Sequence, residues 1–201
     1  MTAVTIFDYG AGNLHSLVKA IASPETVVRL EEDPLRALDT DVLVLPGVGA
    51  FGAAAERLAP GRGAMRDAIL DGLPVLGICL GMQLLLETSA ESDGARGIGV
   101  IPGHVRRLRA SRVPQIGWNE VEPAGHAIHD TPLPAIAYFA NSYVCEPNDP
   151  SVITAISEHD GDSFPAAVSL ARTVGVQFHP EKSSADGVRF IRAFVARARR
   201  P

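Results

Sequence analysis

PVLGICLGMQLLLE, residues 74–87, holds a cysteine between two glycines, Gly77 and Gly81. An apolar run precedes Cys79 and a helical pattern follows it. Read as strand, tight turn and helix, the stretch is a nucleophile elbow with Cys where hydrolases often carry Ser. Such a turn is strained and lifts its central side chain above the sheet, so the residues two positions away must be small. The helix after it begins with unpaired N–H groups and a positive dipole end, which favours negative charge on the sulfur. The N–H of Leu80 points to where an oxyanion would form. The competing reading is a cysteine packed into a core as a small apolar residue. The stretch alone balances the two; a base elsewhere in the chain decides between them.

Working outward, "AVTIFDY" reads as a strand ending at the turn "GAGN", and "LHSLVKAIA" as a helix with Leu14, Leu17, Val18 and Ile21 on one face. "TVVRL" is a short strand, and "DVLVLPGVG" is a continuous apolar run suited to a strand buried on both faces. "GAAAERLAPGRGAMRDAIL" is helical with a break near Pro60 and Gly61. "PVLGI" is a further buried strand, and "LGMQLLLETS" a helix. Strand and helix in alternation predict a mostly parallel open sheet with helices on both faces, a flavodoxin-like α/β fold. The second half differs. "GHVRRLR", "GWNEVEP", "AIAYFANSYV", "VITAISEHDG", "PAAVSLA" and "TVGVQF" are short strands separated by turn residues and predict antiparallel additions to the sheet. An amphipathic helix runs from about Ala185 to Arg199. No repeat or linker divides the chain, so residues 1–201 are expected to form a single domain.

The 201 residues are enough for a sizeable core, with 46% hydrophobic and 20% charged residues. A net charge of −5 argues against non-specific binding to nucleic acid. No apolar run is long enough to span a bilayer. "MTAVTIFDYG" lacks the basic flank and cleavage site of a signal peptide. Two cysteines, Cys79 and Cys145, make no disulfide framework, and a cytoplasmic location fits best. Sixteen of the 18 basic residues are arginine; the two lysines are Lys19 and Lys182.

"VGVQFHPEKSS" supplies the base. His179 ends a strand, and Pro180 is expected to keep the chain extended, so that Glu181, two residues on, lies on the same side. A carboxylate there fixes the imidazole tautomer and stabilises the imidazolium. Alone, His-Pro-Glu reads more simply as a strand-end histidine beside an exposed turn. With Cys79 at the carboxyl end of a strand in the same sheet, where catalytic groups gather, the catalytic reading wins. "PGVGAFG", residues 46–52, also follows a strand; its glycines let N–H groups approach a ligand, which suits a second oxyanion donor or an ordinary Gly-rich turn.

In this order the segments "DYGAGNLHS", "LPGVGAFG", "GICLGMQLL", "GIGVIPGHV", "PQIGWNEV", "YFANSYV" and "GVQFHPEKSS" resemble the class I (triad-type) glutamine amidotransferases, and within them the branch serving histidine biosynthesis. "GICLGMQ" with "FHPE" is specific for the class; "PGVG", "IGWN" and "HPEKSS" narrow it to the branch. The resemblance implies a catalytic triad of Cys79, His179 and Glu181 that hydrolyses glutamine to glutamate and ammonia. It implies an oxyanion hole from the N–H groups of Val48 and Leu80. It implies a substrate pocket involving Gly49, Gln83, Ser142 and Tyr143. It implies no cofactor and no metal, and a (β/α)8-barrel cyclase as partner subunit, which takes up the ammonia. Asn13, Trp118, Tyr138 and Lys182 are the positions it implies at that interface. Two positions depart from the pattern: Gln115 and Asn141 stand where histidine is usual.

His126 and His129 have the spacing of some metal sites but sit in a Pro/Gly-rich stretch with no third ligand nearby. Cys145 lies in a strand-like run without a base and reads as inert. Other classes stay open at this point: a glutaminase serving a different synthase, a free-standing cysteine peptidase or thioesterase, and a regulatory module on the same scaffold.

Overall fold

A computed structural model of the chain describes residues 1–10, 14–125, 128 and 131–198. In chain order the elements are β1 (Thr2–Phe7), α1 (His15–Ile21), β2 (Thr26–Glu31), β3 (Val42–Leu45), α2 (Phe51–Leu58), α3 (Arg62–Leu70), β4 (Val75–Ile78), α4 (Leu80–Leu84), β5 (Thr88–Ser89), β6 (Gly103–Arg107) and β7 (Gln115–Glu120). Then come β8 (Glu122–Pro123), β9 (Ile136–Asn141), β10 (Tyr143–Pro147), β11 (Ile153–His159), β12 (Asp162–Leu170), β13 (Thr173–Val176) and α5 (Ser184–Ala198). The main sheet has eight strands in the order β2-β1-β3-β4-β13-β12-β11-β8. The first five run parallel and the last three alternate antiparallel. Among the described residues no helix is long and apolar enough to cross a membrane.

The parallel strands are apolar throughout because both faces are covered. Val42 and Val44 face one core, with Leu76 and Ile78, under α1 and α5. Leu43 and Leu45 face the other, with Val75, under α2, α3 and α4. All four residues of β3 are fully buried, each burial worth roughly 1.5–3 kcal/mol. The predicted α/β sheet, helices on both faces, is the fold observed.

Three details differ from expectation. The strand in "TVGVQF" is not an antiparallel addition: β13 runs parallel beside β4, with Val176 opposite Ile78. All four of its residues are buried, as in the other two-sided strands. Only β8, β11 and β12 extend the sheet antiparallel; β5, β6 and β10 form a separate three-stranded sheet, and β7 pairs β9 in a two-stranded ribbon. The helix after the cysteine ends at Leu84 rather than Ser89. Its next carbonyls are claimed from outside: Ile98, Ile101 and Gly99 donate to the carbonyls of Leu84, Leu85 and Leu86.

Candidate active site

The elbow after β4 has the strain its sequence predicts. Cys79 sits at φ 47°, ψ −103°, in the left-handed region that L residues rarely adopt. Its glycines are there for space. A Cβ on Gly77 would lie 2.8 Å from the Gly81 carbonyl, and one on Gly81 would lie 1.9 Å from the Leu45 carbonyl oxygen. Helix α4 therefore starts pressed against β3. The backbone N–H of Cys79 donates to the Val176 carbonyl at 2.7 Å, which ties the elbow to β13.

That strand also leads to the candidate base. His179, 3% exposed, follows β13 by three residues, and its N–H donates to the Tyr138 carbonyl at 2.8 Å. The Ser183 hydroxyl, which donates to the His179 carbonyl at 2.7 Å, accepts the Tyr138 N–H at 2.9 Å. Glu181 Oε1 is 2.8 Å from His179 Nδ1. The route to that contact differs from expectation: residues 180–182 form a 3-10 turn rather than an extended segment, and the turn folds the carboxylate back onto the ring. Sulfur and imidazole meet across Gly47, where a single Cβ would be 2.9 Å from both Cys79 Cβ and His179 Cε1. Burial alone would push the His179 pKa down, but hydrogen bonding to Cys79 and Glu181, and their charges, outweigh it and raise the value to about 10.

A cavity of about 210 Å³ opens over the sulfur, walled by Gly47 and Gly49, by Leu80 and Gln83 of α4, by Glu91, and by residues 140–143. Gly49 has φ +105°, so the turn after β3 needs glycine there. Val48 is half-buried against the core. Gln83 Nε2 donates to the Tyr143 carbonyl at 3.0 Å, and Ser142 uses its carbonyl to accept the Leu108 N–H. The two departures from the family pattern prove to be neighbours: Gln115 and Asn141 are opposite each other across β7 and β9. Both are buried, and Asn141 Nδ2 donates to the same Tyr143 carbonyl at 3.2 Å.

Beside the cavity, the ribbon turns an apolar face outward. Ile116, Trp118 and Ile136 are 67%, 56% and 54% exposed. Trp118 opposes Tyr138 in register and meets its ring edge-on at 6.2 Å. Lys182 Nζ lies 5.9 Å from the Tyr138 ring centre. Asn13, His126 and His129 lie outside the described residues. Among the described residues no group of three His, Cys, Asp or Glu is placed to hold a metal. Cys145 is buried, and that burial, with the Cys79 charge adding, pushes its thiol pKa up.

Sequence reasoning missed two residues at the site. Gln177, fully buried, could have been found by stepping back two positions from His179 along the strand. Glu91 lies in a turn after β5 and accepts the Phe51 N–H at the start of α2 at 2.8 Å; no local pattern announces it, because only the fold brings residue 91 to the cavity.

The family described as glutamine amidotransferase class I matches residues 5–198, and the chain belongs to it. Among curated proteins, the chain is 42% identical over 206 residues to imidazole glycerol phosphate synthase subunit HisH of Halobacterium salinarum, covering 96% of this chain and 92% of that one. It is 40% identical to the protein of the same name from Pyrococcus furiosus, covering 96% and 98%. Among solved structures, a glutamine amidotransferase superposes with a TM-score of 0.76 at 18% identity, over 97% of this chain and 98% of that one. A glutamine amidotransferase from Thermotoga maritima gives a TM-score of 0.63 at 19% identity, over 98% and 83%. These two likenesses bear on the fold.

Proposed function

We propose that this chain is the glutaminase subunit of an imidazole glycerol phosphate synthase. Residues 1–201 act as one amidotransferase domain in the cytoplasm, and the ammonia passes to a (β/α)8-barrel cyclase for histidine biosynthesis. The observation that carries the reading is that Cys79, on a strained elbow and lining a cavity, meets His179, which is paired with Glu181, in a chain of this family.

The steps follow from the geometry. With the thiol proton already on His179, Cys79 Sγ attacks the side-chain amide carbon of glutamine. The N–H groups of Leu80 and Val48 hold the resulting oxyanion. His179, whose pKa is raised to about 10, keeps the proton until the C–N bond breaks, then gives it to the departing nitrogen as ammonia leaves. Glu181 holds the ring and balances its charge. Water, deprotonated by His179, then attacks the thioester; glutamate leaves and the thiol is restored. Gly49, Gln83, Ser142 and Tyr143 hold the amino acid end of the substrate. Glu91 supplies a carboxylate to its ammonium group.

The exposed face of the ribbon is where the cyclase docks. Contiguous exposed apolar surface of this kind marks an interaction site. Trp118 and Tyr138 form the aromatic anchor, with Ile116 and Ile136 around it and Lys182 as the cation next to the triad; Asn13 belongs to the same interface by family resemblance. A free-standing peptidase or thioesterase has no use for that face.

The test is glutamate release by wild type and Cys79→Ala, each with the cyclase and its nucleotide ligand. Cys79→Ala is expected to lose glutamine hydrolysis while its complex still forms product from an ammonium salt. Hydrolysis surviving in Cys79→Ala would overturn the assignment.

A further inference from the structure

Gln177 is a polar side chain with no exposed surface, flanked by Val176 and Phe178, which are equally buried. Burying an amide without partners costs about 1–3 kcal/mol, so its presence there has to be explained by its bonds. Those bonds lead to the nucleophile. Gln177 Nε2 lies 3.5 Å from Cys79 Sγ as donor. Gln177 Oε1 accepts from Gln83 Nε2 at 3.3 Å, and Gln83 Nε2 also donates to the Tyr143 carbonyl in the cavity wall.

The pairing of β13 with β4 brings the amide close to the nucleophile. Since β13 runs parallel to β4 with Val176 opposite Ile78, the next residues, Gln177 and Cys79, are level with each other. Strand β13 ends at Val176 and the chain bends at residues 177 and 178, and the segment that carries His179 to Cys79 also carries Gln177 there. Phe178, between them, packs edge-on with Phe139 and Phe190. One short segment thus brings two groups to one sulfur: a base that exchanges its proton, and a neutral donor that does not titrate.

We propose that Gln177 is a positioning residue for the nucleophile: its amide fixes Cys79 Sγ by an N–H···S hydrogen bond and links the sulfur to Gln83 in the substrate pocket. The proposal rests on the glutaminase reading for its kinetic consequence but not for its chemical one. A neutral donor strengthens its bond when the sulfur becomes negative. The amide therefore favours the state in which the proton has moved to His179.

Two measurements test this on the cyclase complex: the pH dependence of Cys79 alkylation by iodoacetamide, and the kinetics of glutamine hydrolysis. Gln177→Met, close in volume but without a donor, is expected to move the alkylation midpoint to higher pH and to lower kcat about 10- to 100-fold, with KM changed less than about threefold. Gln177→Glu, which sets a carboxylate against the sulfur, moves the midpoint further in the same direction. Gln83→Met, which removes the bonds to Gln177 Oε1 and to the Tyr143 carbonyl but leaves the amide's own bond to the sulfur, gives a smaller shift of the same sign and serves alone if the Gln177 variants do not fold. An alkylation profile unchanged in every folded variant, with losses of rate that follow melting temperature, overturns the proposal. Wild type that is alkylated as expected but does not hydrolyse glutamine would instead overturn the glutaminase reading.

Discussion

The elbow at Cys79 and the β7–β9 ribbon carry opposite designs. Strand β4 is hydrogen-bonded on both edges, to β3 and β13, and every residue in it is buried. The cysteine that follows is held at positive φ. Among the described residues, strands β7 and β9 pair only with each other, bury one face with Phe139 and Ala137, and leave Ile116, Trp118 and Ile136 largely in solvent. Backbone strain persists only where surrounding structure over-determines it, so the strained turn at Cys79 belongs in the two-sided core. A docking surface needs accessible apolar area, which a one-sided ribbon provides.

The contrast breaks most visibly at the nucleophile. Cys79→Ser in the complex is expected to lower glutamine hydrolysis by about 10⁴-fold or more, read as glutamate release; a loss of under tenfold would remove Cys79 from the chemistry. Next in size is a comparison of two glycines. Gly81→Ala forces a Cβ to 1.9 Å from a backbone oxygen and should cost about 3–5 kcal/mol in urea unfolding, or give no folded protein. Gly117→Ala, in the ribbon, meets nothing within 4 Å but has φ +132°, and should cost about 1–3 kcal/mol. Equal losses at the two sites would erase the distinction between crowded elbow and open ribbon.

Gly47→Ala sharpens it in another way. Its methyl would push Cys79 and His179 apart, so kcat should fall by about 100-fold while unfolding stays cooperative. On the ribbon, Trp118→Ala should weaken cyclase binding by about 10- to 100-fold and change chain stability by less than about 1 kcal/mol; unaltered affinity would move the docking face elsewhere. The smallest effect is a slope with pH. His179 binds its proton more tightly folded than unfolded, so its contribution to stability is complete below about 6.5 and is lost as pH rises through about 10. The stability difference between wild type and His179→Gln should therefore be larger at pH 6 than at pH 10.5. A constant difference would mean that His179 is not held as the imidazolium.

How much of this is readable in the residues depends on the range of each signal. Gly77-x-Cys79-x-Gly81 is a local steric rule, and the crowding around Gly77 and Gly81 is what it encodes. The alternation of "DVLVL" and "PVLGI" with helices sets the class of sheet, because strands buried on two faces need apolar residues at every position. Strand order is not legible: nothing within Thr173–Val176 says that its neighbour is β4 rather than only β12. The end of α4 is misread from sequence because Leu84, Leu85 and Leu86 continue a helical pattern while residues 98–101 take their carbonyls. Glu181 reaches His179 through a turn, not an extended chain, although the pairing itself follows from the sequence. Glu91 has no signal at all. Asn13 lies outside the described residues, so its assignment rests on resemblance.

Tyr138 belongs to both regions at once. Its ring lies on the outward face of the ribbon, against Trp118, while its own peptide groups are fastened to the catalytic segment, the carbonyl to the His179 N–H and the N–H to the Ser183 hydroxyl. No lever of intervening residues separates the two roles. A shift of this main chain by an ångström either drags the imidazole with it or snaps a 2.8 Å bond. On the proposed reading, a partner gripping that ring would hold His179 by its own backbone.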